Sequence, residues 1–304
     1  MKLSRRSLLA SGAVAAAAAA APAMAHEPVG NAARFSIGYA PHEGSFASRG
    51  DRLEQIAYAA DQGFTAWEDN EAAGRSVAEQ TAMARALQQC GMTMGVFVAS
   101  MPRWGDFRPQ LGGDDDADRE AFLADIRASI AVAKRLSAKW MTVVPGFLDR
   151  RLPLEIQTGR VVDTMRRAAE IVEPHGMVMV MEPLNTLVNH PGVFLQTVPQ
   201  GFAVAKGVDS PAVKVLADLY HEQIQAGNLI ATMDACWDEI AYLQFGDNPG
   251  RNEPGTGEIN YRNIVRWLRA RKFAGVIGME HGNSVEGRAG EERLIAAYRA
   301  IDAA

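Results

Sequence analysis

Four polar residues stand at the ends of short apolar runs in the second half of the chain. Glu182 follows Val178-Met179-Val180-Met181, Asp218 closes the run 213–217, Gln244 sits late in 240–245, and Glu280 follows the run 276–279. If these residues meet, three carboxylates and one amide converge. Crowded carboxylates repel one another and are costly unless a cation balances them. A donor set of oxygens without cysteine favours a hard or borderline divalent ion, Mg2+ or Mn2+, whereas zinc prefers more nitrogen or sulfur. Such an ion, bridging a carbonyl and its neighbouring hydroxyl, acidifies the α-proton and stabilises an enediolate. A carboxylate of tuned pKa then moves the proton. The competing reading is that each acid pairs with a nearby arginine or caps a helix, as a single acid at a strand end commonly does.

Convergence requires a scaffold that points successive strand ends into one mouth. The β-rich runs are 35–40, 64–68, 93–99, 140–144, 178–182, 213–218, 240–245 and 276–280. Helical patterns lie between them at 49–62, 77–89, 118–136, 155–174, 202–207, 219–227, 261–271 and 288–301. Eight strand-then-helix units predict a single-domain (β/α)8 TIM barrel. The near-continuous apolar run Val178–Met181 fits a parallel strand buried on both faces, with Met179 and Met181 as core fillers. Gly63, Gly91 and Gly176 precede strands, where glycine commonly closes the preceding helix. A doubly wound sheet is the alternative, but no G-x-G-x-x-G follows the first strand.

Two long loops, 100–116 and 246–260, follow predicted strands and so belong to the active-site face. Trp67-Glu68 and Trp104 follow the second and third strands, where they line a pocket or pack in the core. Glu253 and Glu258 read as loop-ordering acids. His281, beside Glu280, is open between a supporting and a solvent-facing role.

Several stretches resemble the hydroxypyruvate isomerases, within the wider xylose isomerase-like barrels that include ketose 3-epimerases and endonuclease IV. They are Glu182-Pro183-Leu184-Asn185, Asp218-Leu219-Tyr220-His221, Leu243-Gln244-Phe245, the loop from Pro249 to Tyr261, and Gly278-Met279-Glu280. The resemblance implies that Glu182, Asp218, Gln244 and Glu280 hold one divalent metal. It implies that Glu182 and Glu280 flank the substrate as acid and base, that His221 hydrogen-bonds substrate oxygens, and that Arg251 reaches a substrate carboxylate or hydroxyl. On residues alone, His221 could instead be a surface histidine at a helix start, and Arg251 could pair with Glu253 or Glu258. The resemblance further implies a metal-dependent isomerase or epimerase of a small keto-acid, keto-sugar or sugar, and a homo-oligomer. Ketose 3-epimerisation and a non-catalytic periplasmic carbohydrate-binding barrel are the rivals. The segment 38–104, which shapes the far side of the pocket, matches that family poorly.

The N-terminus carries Lys2, Arg5 and Arg6, then an alanine-rich apolar stretch, then Ala23-Met24-Ala25. This reads as a twin-arginine signal peptide over residues 1–25, followed by the barrel at 26–304. A membrane anchor is the alternative, but the apolar run is short for a bilayer span. The expected location is the periplasm or the exterior, with no membrane span after cleavage. The chain's formal charge is −5, and the signal segment holds cations without acids, so the remainder is more acidic still. That balance disfavours a phosphate-backbone partner and leaves a small molecule, not nucleic acid, as the ligand. Two cysteines, Cys90 and Cys236, do not make a disulfide framework. Replacing Arg5 and Arg6 together by lysine should hold the full-length chain in the cytoplasm of its native host. Cell fractionation checks this, and unchanged export would overturn the twin-arginine reading.

Overall fold

The computed structural model describes residues 32–304; the expected signal segment lies outside them. Nine strands appear: β1 (Gly38–Ala40), β2 (Ala66–Trp67), β3 (Thr93–Met94), β4 (Val98–Ser100), β5 (Trp140–Val143), β6 (Val178–Met181), β7 (Val213–Asp218), β8 (Ile240–Gln244) and β9 (Val276–Gly278). The helices are α1 (Arg52–Asp61), α2 (Val77–Cys90), α3 (Asp116–Leu136), α4 (Leu154–Val172), α5 (Val198–Val208), α6 (Leu219–Gln225), α7 (Leu229–Cys236), α8 (Tyr261–Ala270) and α9 (Gly287–Asp302). Seven strands form one parallel sheet in the order β1-β9-β8-β7-β6-β5-β4, and β2 pairs with β3. A parallel bridge between His42 and Glu68, and bonds such as Val98 N–H to the Asn70 carbonyl at 3.1 Å, join the two sheets into a ring. The fold is the expected (β/α)8 barrel in a single domain.

The third expected strand is broken in two, and the break has a local cause. Val96 N–H donates to the Tyr242 hydroxyl at 3.4 Å instead of extending a ladder. The backbone comes so close there that a Cβ on Gly95 would lie 2.4 Å from that hydroxyl oxygen. Helix α7 is absent from the sequence reading, and α5 begins four residues early, where Thr197 Oγ1 caps it by accepting from Gln200 N–H. The starts of α1 and α2 are fixed by reciprocal caps, Asp51 with Glu54 and Ser76 with Glu79.

Strand periodicity sorts the core into two layers. Ala40, Ala66, Val96, Val180, Leu216, Tyr242 and Val276 fill the barrel interior. Met179, Met181, Val213, Val215, Ala217, Leu243 and Ile277 pack outward against the helices. Because side chains alternate, the residues two places beyond an interior one also face inward. Glu68, Glu182, Asp218, Gln244 and Glu280-via-Gly278 share that parity, which is why polar groups can cap an apolar interior at one end. Among the described residues no helix is long and apolar enough to cross a membrane, and Cys90 and Cys236 are both free.

Helices α5 and α6 are linked by Glu222, whose Oε2 accepts from Val198 N–H at 3.0 Å while Oε1 is buried without a partner. Burial raises its pKa to about 7. A carboxyl raised in the folded state adds stability that is complete below its unfolded pKa and is lost as pH rises through the folded value. Glu222→Gln keeps an acceptor for Val198 and removes the charge. Its Tm should equal or trail wild type near about pH 4.5 and exceed it near about pH 8.5. Thermal melts across that range check it; a difference that stays constant with pH would contradict the burial argument.

Candidate active site

Glu182 and Glu280 lie one and two residues beyond β6 and β9, whereas Asp218 and Gln244 are the last residues of β7 and β8. Asp218 also caps α6, its Oδ1 accepting from Tyr220 N–H at 2.8 Å. That role orients the carboxylate and leaves Oδ2 facing the barrel axis. His221, one turn on, is buried at 2% exposure, with Nε2 3.6 Å from Asp218 Oδ2 and 4.0 Å from Glu182 Oε1. One ligand atom each from Glu182, Asp218 and His221 lie within 4.8 Å of one another. The surface-histidine reading of His221 is therefore excluded.

The tautomer of His221 follows from its neighbour Asn185. The Asn185 Oδ1 accepts from Val188 and Asn189 N–H at 3.0 and 3.1 Å, so its amide nitrogen must face the other way. That nitrogen donates to His221 Nδ1 at 2.6 Å. Nε2 faces a second donor, Arg251 Nη2, at 3.3 Å, and a neutral ring can accept at only one nitrogen; the shorter contact favours Nδ1 as the acceptor and leaves the hydrogen on Nε2. Burial, followed by Arg251, lowers the His221 pKa to about 3, so the ring is neutral at ordinary pH. Nε2–H is then a donor to oxygen and not a free lone pair for an ion.

Arg251 is delivered by the 246–260 loop in a left-handed backbone conformation, φ 52°. Its Nη2 lies 2.9 Å from Glu280 Oε2 and 3.1 Å from Asp218 Oδ2, and its Nε donates to the Glu280 carbonyl at 3.2 Å. The guanidinium also rests over the Tyr220 ring at 4.8 Å. Arg251 thus pairs with the site and not with Glu253 or Glu258. Glu253 instead holds Ser284 and Arg293, and Glu258 accepts from Asn248 and Gln223, so both order loops. Asp247, buried and not singled out in the sequence, is the loop's anchor. It accepts from the N–H groups of Asn248, Gly255 and Ile259 at 2.7–3.0 Å. His281 is a supporting residue, its Nε2 2.9 Å from the Tyr298 hydroxyl.

Burial pushes the carboxyl pKa of Glu182 well above the ordinary range, and the Glu280 and Asp218 charges add to it. Asp218 and Glu280 are raised as well, chiefly by burial, with Arg251 working against the rise. Burial disfavours the Arg251 cation, but Glu280, Asp218 and Glu182 outweigh it and raise its pKa. Beneath these groups lies Glu68, at 1% exposure, which accepts from Gln244 Nε2 at 2.7 Å and from the Tyr242 hydroxyl at 2.9 Å. Its pKa is raised well above normal by burial, then by Glu280, against those two hydrogen bonds. A Cβ at Gly278 would fall 1.9 Å from Glu68 Oε2, so the strand passes there only as glycine.

A cavity of about 300 Å3 opens over the cluster, bounded by Glu182, His190, His221, Arg251, Glu280 and Asn70 among others. Trp104 stacks on His190 at 4.6 Å and meets Phe147 edge-on at 5.8 Å, so Trp104 forms a wall of the cavity; Trp67 is wholly buried. Asn70 and His190 escaped the sequence reading, since neither ends a strand nor belongs to a recognised motif. Asn185 could have been found: it lies three residues past Glu182 in a quoted stretch.

The residues fit a divalent ion. Gln244 Oε1 is buried without a hydrogen-bond partner, and it accompanies three carboxylates of which the single Arg251 cation contacts two. Glu182, Asp218, Gln244 and Glu280 would hold it.

A family model described as xylose isomerase-like TIM barrel matches residues 56–301. The hydroxypyruvate isomerase of Escherichia coli K12 is 31% identical over 162 residues, covering 53% of this chain and 62% of that one. A 2-oxo-tetronate isomerase of Cupriavidus necator is 26% identical over 229 residues, 75% of this chain and 86% of that one. Among solved structures, an AP endonuclease, family 2, from Brucella melitensis superposes with TM-score 0.72 at 26% identity, over 83% of this chain and 95% of that one.

An ion can enter only as the raised carboxyls lose their protons, so Mn2+ affinity should increase with pH between about 5 and 8, with protons released on binding. Calorimetry in buffers of different ionisation enthalpy measures both. A pH-independent affinity would overturn the assignment of these acids as ligands.

Proposed function

The chain belongs to the xylose isomerase-like TIM barrel family, and on that premise we propose that it is an isomerase or epimerase of a small keto-acid, keto-sugar or sugar, acting through an enediolate with one Mg2+ or Mn2+. The observation that carries this reading is the meeting of Glu182, Glu280, His221 and Arg251 on one small cavity. The named activities of the relatives, isomerisation of hydroxypyruvate and of 2-oxo-tetronate, agree with it. A purely binding barrel has no use for buried acids of raised pKa on the ligand.

When bound, the ion polarises the substrate carbonyl and its neighbouring hydroxyl. The protein's residues do the remainder. One glutamate of the Glu182 and Glu280 pair, as carboxylate, takes the proton α to the carbonyl; the C–H electron pair becomes the enediolate double bond. His221 Nε2–H donates to the oxygen on which charge develops, and Arg251 holds the far end of the substrate by leaving part of its contact with Asp218 and Glu280. Return of the proton to the adjacent carbon completes an isomerisation. Return from the opposite glutamate to the same carbon completes an epimerisation. Trp104 over His190 keeps water from the intermediate. The same reading takes residues 1–25 as a twin-arginine signal, which would carry this chemistry outside the cytoplasm.

Glu182→Gln and Glu280→Gln should each lower turnover by about 10²–10⁴-fold, while Arg251→Ala should mainly raise KM. Solvent-deuterium incorporation into hydroxypyruvate and a panel of ketoses, with metal saturated, separates the steps. One variant that exchanges the proton without releasing product would mark a two-base epimerisation. Wild-type exchange by both would refute the assigned bases.

A further inference from the structure

Gln244 is the one neutral member of the proposed ligand set, and an amide is useful to a cation only if its oxygen faces the ion. Nothing in the side chain's shape decides that, since the two ends of a carboxamide are nearly the same size. The surrounding hydrogen bonds do decide it. Val96 N–H donates to the Tyr242 hydroxyl oxygen at 3.4 Å, so the Tyr242 hydrogen must go elsewhere, and it goes to Glu68 Oε2 at 2.9 Å. The other oxygen, Glu68 Oε1, lies 2.7 Å from Gln244 Nε2. The two donors that meet Glu68, Tyr242 O–H and Gln244 Nε2, favour its ionised form against burial; as a carboxylate it offers only acceptors, so the group facing it is the NH2 end. Gln244 Oε1 is thereby turned away from Glu68 and left buried without a partner.

We propose that Glu68 is a positioning residue that fixes the Gln244 amide with its oxygen toward the acid cluster, through a one-way hydrogen-bond chain from Val96 N–H by way of the Tyr242 hydroxyl. The proposal rests on the divalent-ion reading of the site. It gives a buried, otherwise costly glutamate a task, one that a glutamine of the same shape cannot perform. In Glu68→Gln the Tyr242 hydroxyl still demands an acceptor, so the new amide must give it the oxygen and present NH2 to Gln244. Gln244 then flips to accept, and its own NH2 points at the ion.

The test measures Mn2+ affinity of the folded wild type and variants by calorimetry. Glu68→Gln should weaken binding by about 10–100-fold, the usual consequence of losing a partner that orients a ligand, and Gln244→Ala should weaken it comparably. Adding Tyr242→Phe to Glu68→Gln removes the demand for an acceptor, lets the new amide turn its oxygen to Gln244, and should recover most of the loss. An unweakened Glu68→Gln overturns the proposal, and so does a loss that Tyr242→Phe does not rescue, because Glu68 would then act through its charge. Wild type that binds no Mn2+ refutes the ion reading and the proposal with it. Independently of metal, NMR of the 15N-labelled Gln244 side-chain amide in wild type should show a slowly exchanging proton. Fast exchange of both protons would overturn the proposal even with Mn2+ binding intact, and this measurement stands if Glu68→Gln does not fold.

Discussion

Negative charge withdrawn from water at one end of the barrel is the constraint on which the rest of this structure depends. Glu68, Glu182, Asp218 and Glu280 are drawn into one mouth, where each raises the cost of ionising another. The protein answers with fixed donors and one cation, Arg251. Tyr220 N–H restrains Asp218, Tyr242 and Gln244 restrain Glu68, and the Arg251 guanidinium lies against Asp218 and Glu280. The 246–260 loop, organised on the buried Asp247, exists in this shape to bring that cation in from the rim.

Much of this was legible in the sequence because the end of an apolar run is a local property. The runs before Glu182, Asp218 and Gln244 are almost continuously apolar, so what they made legible is that each polar residue ends a buried barrel strand; the inward direction of its side chain follows from the parity seen in the fold. The eight-unit alternation likewise follows from hydrophobic pattern. What was not legible depends on tertiary approach. The split of the third strand is caused by Tyr242, which lies far along the chain, and no pattern within 93–99 signals it. The roles of Glu68 and Asp247 require knowing which donors surround them. Arg251 had acids nearer in sequence than the ones it meets, so spacing pointed to Glu253 and Glu258 as readily as to Asp218 and Glu280.

The site also divides by provenance. The strands from β6 to β9 and the loop after β8 contribute Glu182, His221, Arg251 and Glu280, whereas Asn70, Glu71, Val98, Met101 and Trp104 come from β4 and the segments after the earlier strands. Both sets of side chains meet at one end of the barrel, where the loops after successive strands lie together.

Gly278 gives that division a counterpart inside the barrel. Where its Cβ would stand, Glu68 Oε2 already stands, 1.9 Å away. Positions 68 and 278 compete for one volume, so a glutamate at the first admits only glycine at the second. Gln244 Cγ would also lie 2.9 Å from that Cβ, so a descendant could enlarge residue 278 only after residue 68 had shortened and Gln244 had shifted. The two positions therefore form a historical ratchet, in which the order of substitutions, and not their individual merits, decides which barrels can be reached from this one.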